Sequence, residues 1–184
     1  MNLNELKECS ICHSPLTEYG NKFARNGVVC RECAKKLSPF LDDEDIANKT
    51  IYGLKLHLRY RERNAGKLDR FLPEEKVEGK YNLQIDKKHK TFMFNKRNDL
   101  HKENPDIIRL RKVKDVEIET RQYLDNPDAV DVIVTVPVKS TYLNKVSFRV
   151  NEFPGVARDG EDHHKALKLA EEYKEALLKY KGIF

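Results

Sequence analysis

The second half of the chain alternates apolar and polar side chains with the period of a pleated strand. Tyr81, Leu83 and Ile85 are apolar, Asp86-Lys87-Lys88-His89-Lys90 is a polar turn, and Thr91-Phe92-Met93-Phe94 returns. A polar stretch over 95–105 leads to Ile107-Ile108-Arg109-Leu110 and then to an apolar-containing run over 113–119. Asp125-Asn126-Pro127-Asp128 is a turn cluster, built from residues that bond their own backbone or preset φ. Val130, Val132, Val134 and Val136 then alternate with their neighbours, as do Val146, Phe148 and Val150. Pro154-Gly155 should end that strand, because proline cannot donate to a ladder. From Asp162, a good helix cap, the period changes to 3.6. Ala166, Leu169, Ala170, Tyr173, Leu177 and Tyr180 form one stripe of a helix to about Lys181. The pattern predicts about six antiparallel strands closed by one C-terminal amphipathic helix.

The first half reads differently. Lys22-Phe23-Ala24-Arg25 and Val28-Val29-Cys30 flank Asn26-Gly27, a pair suited to a hairpin turn with φ > 0 at both positions. Ala34-Lys35-Lys36-Leu37 starts a helix that should stop near Ser38-Pro39, since proline disfavours the helical region for the residue before it. Leu16, Phe23, Val28, Val29, Leu37 and Phe40 are the expected small core. Leu41-Asp42-Asp43-Glu44-Asp45 reads as an acidic connector; a calcium loop would need alternating ligands and a central glycine. Leu54, Leu56, Leu58 and Tyr60 fit a strand, yet Ile51, Leu54 and Leu58 fit a helical face behind the cap Thr50. Length and the charged continuation Arg61-Glu62-Arg63-Asn64 favour a helix ending near Ala65-Gly66.

Cysteine spacing adds chemistry to this module. Cys9 and Cys12 form one CxxC pair, Cys30 and Cys33 a second, with 17 residues between the pairs. Two such pairs fit a four-thiolate zinc site. Cysteine knuckle, hairpin, then a helix carrying the last ligand is the treble-clef order. No apolar leader opens Met1-Asn2-Leu3-Asn4-Glu5-Leu6-Lys7, so a reducing cytoplasm is expected, and with it metal ligation in preference to disulfides. Cys9 to His13 also spells a c-type haem attachment motif, which leaves Cys30 and Cys33 without a role. No βαβ pattern supports a thioredoxin-like pair. His13 is expected beside the metal or in solvent. Four thiolates leave no open position, so a single structural Zn²⁺ that folds the module is expected, without activation of water.

Composition modifies this picture only slightly. The 184 residues are 35% charged and 39% apolar with a net charge of +5, which permits an anionic partner without requiring one. No run approaches the roughly 18 apolar residues needed to span a membrane. The expected division is a zinc finger over 1–41, an acidic linker and basic helix over 42–70, and a β domain over 71–184. Lys55, Arg59, Arg61, Arg63 and Lys67 make the helix the most basic segment, a possible contact for anionic partners. No phosphate loop, nucleophile elbow or H-E-x-x-H motif occurs. His163-His164 are adjacent and diverge on a helix, which points to surface or capping roles; His57, His89 and His101 stand apart among charged residues.

The run from Cys9 through Cys33 to Phe40 resembles an uncharacterised bacterial zinc-finger family, a domain of unknown function, and Tyr60-Arg61-Glu62-Arg63-Asn64 resembles the Y-R-E-x-N end of its following helix. Leu83-Gln84-Ile85-Asp86 and Asn104-Pro105-Asp106-Ile107 resemble the pleckstrin-homology-like (PH-like) bacterial domain that often follows. Glycine-rich insertions common before the last strands there are missing from 121–131. The resemblance implies an α+β chain: treble-clef finger, linking helix, and a PH-like antiparallel sandwich or barrel closed by the last helix. The expected function is a non-enzymatic cytoplasmic adaptor or regulator that binds another protein. Nucleic-acid binding through the finger and the helix over 50–70 is the alternative. Phosphoinositide binding at the Lys87-Lys88-His89-Lys90 turn comes third.

Overall fold

The computed structural model describes residues 6–96, 106–140 and 142–181. The opening residues 1–5, His101, the Asn104-Pro105 resemblance and most of the expected polar stretch lie outside them. The chain forms two compact units, Met1–Gly66 and Lys67–Phe184.

In the first unit, strands β1 (Lys22–Ala24) and β2 (Gly27–Val29) pair as a hairpin with Ala24 opposite Gly27. The turn is therefore Arg25-Asn26, one residue earlier than expected, and neither residue takes positive φ. Gly27 belongs to the strand, and its role is steric. A Cβ there would lie 2.6 Å from Ser10 Oγ and 2.7 Å from Ile51 Cγ1. Helix α1 (Arg31–Lys35) starts before Cys33, with Cys30 at its N-cap.

The acidic segment expected as a connector is a helix, α2 (Asp43–Asn48). Asp42 caps it, its Oδ1 accepting from Asp45 N at 2.7 Å, and three acids in the first turn suit the positive end of the helix dipole. Lys22 pairs with Asp43 and Arg25 N donates to Lys49 O, which ties α2 to the hairpin.

Residues over 51–68 form helix α3 (Ile51–Leu68), as length and charge favoured. Thr50 caps it, accepting from Gly53 N at 3.1 Å, and Asn26 Oδ1 accepts from Ile51 N at 2.8 Å. Its buried face differs from the expected Ile51, Leu54, Leu58 stripe: it is Leu54, His57, Arg61 and Asn64. Three of these four are polar, so hydropathy could not reveal them. His57 Nε2 accepts from Ser38 N at 3.1 Å, satisfying a buried backbone donor just before Pro39.

The second unit has two four-stranded antiparallel sheets. One runs β3 (Glu75–Val77), β4 (Tyr81–Asp86), β5 (Thr91–Lys96), β6 (Ile108–Arg109). In the other, β8 (Ala129–Pro137) is central, flanked by β7 (Glu117–Gln122) on one edge and by β9 (Lys145–Arg149) and β10 (Val156–Ala157) on the other. The short strands β3 and β10 were not anticipated, because neither shows alternation long enough to register. A closed barrel is not formed among the described residues. After two residues β6 gives way to a 3-10 turn, Leu110–Lys112; of the strand expected over 113–119, the part from Glu117 on forms β7, and Val113 makes only an isolated bridge to Val138.

Helix α4 (Glu161–Lys181) begins one residue before the expected cap Asp162 and packs against β8, β7 and β10. Tyr173 and Leu177 are fully buried, as the stripe predicts. The Tyr173 ring meets Phe94 and Phe148 edge-on, at centroid distances of 5.6 and 5.8 Å, and its hydroxyl donates to Tyr81 O. Edge-to-face rings of this kind add to the area they bury.

Candidate metal centre

The first CxxC pair sits in a tight knuckle closed by Cys9 N donating to Ser14 O at 2.8 Å and His13 N to Cys9 O at 2.9 Å. His13 takes the left-handed conformation, φ 62°, to complete the turn, and its side chain is exposed. Ser10 locks the knuckle onto β2: its N–H donates to Val28 O and its hydroxyl accepts from Val28 N. The second pair is placed by β2 and α1. Cys30 follows the strand as the helix N-cap, and Cys33 lies one turn on, with Cys33 N directed at Cys30 Sγ at 3.5 Å.

These elements bring Cys9, Cys12, Cys30 and Cys33 together with all four sulfurs within 4.8 Å of one another. Cys12 Sγ and Cys30 Sγ are 3.7 Å apart. Four sulfurs at about 2.3 Å from a central ion would be separated by about 3.8 Å on a regular tetrahedron. The cluster therefore has the donor set and size for a four-thiolate metal site. A disulfide would need sulfurs at about 2.05 Å.

Electrostatics support the same use. Cys9 is buried, yet N–H groups of Cys30, Cys12 and Ile11 outweigh burial and lower its pKa. Ile11 N and Cys30 N lie 3.4 and 3.3 Å from Cys9 Sγ. The Ser14 hydroxyl and backbone hold the exposed Cys12 thiol down to about 6. Burial pushes Cys30 and Cys33 up. A cation at the centre favours the thiolate form of all four. Ser10 and Ser14 are the supporting residues that spacing alone did not single out; the available signal was small hydroxyl residues in and just after the first CxxC.

Among the basic residues of α3, Arg59 and Arg63 are exposed one helical turn apart and Lys55 is half-buried one turn before them. Arg61 is 1% exposed. Its place on the buried face, three residues from Asn64, removes it from the expected contacts with anionic partners. Lys67, exposed in the last turn of the helix, begins the second unit. His163 is buried, its Nδ1 accepting from Asp159 N at 3.0 Å, which is the capping role anticipated for the pair.

Residues 7–57 match the model of a family described as a domain of unknown function (DUF4428). The match takes in both cysteine pairs, α2 and the start of α3. No curated protein matches the chain, and no solved structure matches it. No helix among the described residues is long and apolar enough to cross a membrane.

Proposed function

We propose that the chain is a non-enzymatic, zinc-containing adaptor or regulator whose N-terminal unit binds another protein. The observation that carries this reading is a four-thiolate site on a unit that also exposes three aromatic side chains. Four thiolates complete a tetrahedron, leaving no position for water or substrate, which is the arrangement of a structural zinc. On the same unit Tyr19, Phe23 and Tyr52 are 76%, 52% and 71% exposed. Phe23, assigned from sequence to the small core, is thus on the surface. Aromatic residues are enriched in protein interfaces, and these three stand open to solvent on one small unit. The knuckle, hairpin and α1 follow treble-clef order. A PH-like relationship for the second unit is part of the proposal, supported by antiparallel sheets covered by a C-terminal helix.

Affinity capture from native cells, with and without nuclease, tests the reading. A protein partner that survives nuclease and is lost on combined Tyr19→Ala, Phe23→Ala and Tyr52→Ala replacement supports it. Capture that depends on nucleic acid overturns it in favour of the second reading, which one observation favours: Lys55, Arg59 and Arg63 recur every four residues on α3. In that case binding should weaken steeply with salt, and charge reversal at Arg59 and Arg63 should flatten the slope.

A further inference from the structure

In the second unit, β7 lies at the edge of its sheet, and among the described residues only β8 pairs with it. The direction of its outer backbone groups follows from the register. Tyr123 N donates to Ala129 O at 3.3 Å, one step beyond Gln122 opposite Val130. Opposed residues of an antiparallel ladder are hydrogen-bonded at every second position. Glu117, Glu119 and Arg121 are therefore the residues bonded to β8. On the far side of β8, Val150 N donates to Val132 O at 2.8 Å, which leaves the odd-numbered residues of β8 for β7, in agreement. Ile118, Thr120 and Gln122 turn their N–H and C=O groups outward, a template for another strand.

The edge keeps few of the devices that blunt such a template. Its six residues include neither proline nor glycine, and the register with β8 runs through all of them without a bulge. Five of the six are exposed, Thr120 and Gln122 included, so α4 leaves the edge open. Thr120 Oγ1 lies 3.5 Å from His163 Nε2 of α4, which marks the face that the helix covers. Glu119 and Arg121 stand on the opposite face. There they form an exposed pair at 3.2 Å, opposite charges two residues apart on one strand.

We propose that β7 pairs antiparallel with β7 of a second copy of this chain, about a two-fold axis through Thr120. Outward groups at the even-numbered positions restrict pairing to registers that set these positions against one another. In the register centred on Thr120, Thr120 faces Thr120, Ile118 faces Gln122, and Glu119 faces Arg121 of the second copy. Symmetry supplies each contact twice. A shift by one position would centre the axis on Glu119 or on Arg121 and bring like charges face to face. A strand carrying charges of one sign would repel its own copy, whereas Glu119 and Arg121 make this one self-complementary. Charge thus selects the register while ladder hydrogen bonds hold the strands, since exposed ion pairs alone are weak. The two sheets join into one continuous sheet with both copies of α4 on the same face.

Sedimentation velocity of the full chain, from micromolar to sub-millimolar concentration, tests the pairing. A reversible monomer–dimer equilibrium is expected. Glu119→Arg and Arg121→Glu should each weaken the dimer roughly tenfold or more, because the two-fold repeats every clash. Mixed in equal amounts, these two variants should associate with each other more tightly than either does with itself, since each supplies the charge the other lacks. An effect confined to the fold of one chain could not produce that rescue. Thr120→Pro removes an N–H that points away from β8, so it should abolish the dimer while the circular dichroism spectrum and melting transitions stay close to wild type. A chain that stays monomeric throughout leaves the edge to some other strand and overturns the inference. So would a dimer indifferent to Thr120→Pro, or charge variants that fail to pair on mixing.

Discussion

Two glycines and one aspartate show how much single residues decide. Gly27 is held where a methyl group would meet Ser10 and Ile51 at under 3 Å, whereas a Cβ on Gly66 of α3 would meet nothing within 4 Å. Gly27→Ala should therefore disrupt the first unit, and Gly66→Ala should stabilise the helix by up to about 1 kcal/mol. Chemical denaturation of the two variants side by side checks the contrast; a neutral Gly27→Ala would show the packing is looser than described. Asp86 carries a second residue-scale prediction. Burial raises its pKa, but the His89 and Leu72 N–H groups and the His89 ring outweigh burial and hold the carboxyl below its usual value. A lowered folded-state pKa contributes stability above the ordinary carboxylate range, lost as pH falls through the folded value. Wild type should thus lose more stability between pH 6 and 3 than Asp86→Asn does. At neutral pH, Asp86→Ala should cost roughly 1–3 kcal/mol for each donor left without its acceptor. Urea melts at the two pH values decide it, and identical pH profiles for wild type and Asp86→Asn would contradict the assignment.

At the scale of elements, α4 makes the sharpest claim. Leu177 and Tyr173 are buried to the last atom, and the Tyr173 ring closes a cluster with Phe94, Phe148 and Tyr81. Leu177→Ala should cost roughly 2–5 kcal/mol, read as a lower melting transition of the second unit. A neutral substitution would mean the helix does not cover the sheet. Elements with long, regular alternation were legible in advance: β4, β8, β9 and α4 follow their hydrophobic period, while β5, with Phe92, Met93 and Phe94 all buried, was placed by the turn before it. Those that tertiary contacts define were not. α2 is polar on most of its length, β3 and β10 are too short to carry a period, and α3 buries His57 and Arg61, which hydropathy assigns to solvent. The hairpin turn lies one residue earlier than expected, which leaves Gly27 in β2 to meet a steric demand from Ser10 and Ile51, residues outside the hairpin.

For the whole molecule, the cysteine frame was the most legible feature and the one with the clearest physical consequence. Spacing singled out the four cysteines, and the fold brings their sulfurs within 4.8 Å of one another, close enough to hold a metal ion. Exposure was less legible, since the place of Phe23 on the surface depends on register and packing. The first unit is small and its core modest, so its stability is expected to follow the metal. The second unit has its own core of strands and α4. Chelation should accordingly unfold the first unit and leave the melting transition of the second largely intact. The most direct measurement is metal analysis of protein purified under reducing conditions, combined with X-ray absorption at the zinc edge. The account predicts one zinc per chain in a shell of four sulfurs at about 2.3 Å, lost on Cys30→Ser. Protein that folds its first unit without metal, or that joins Cys9 to Cys30 as a disulfide under those conditions, would contradict it.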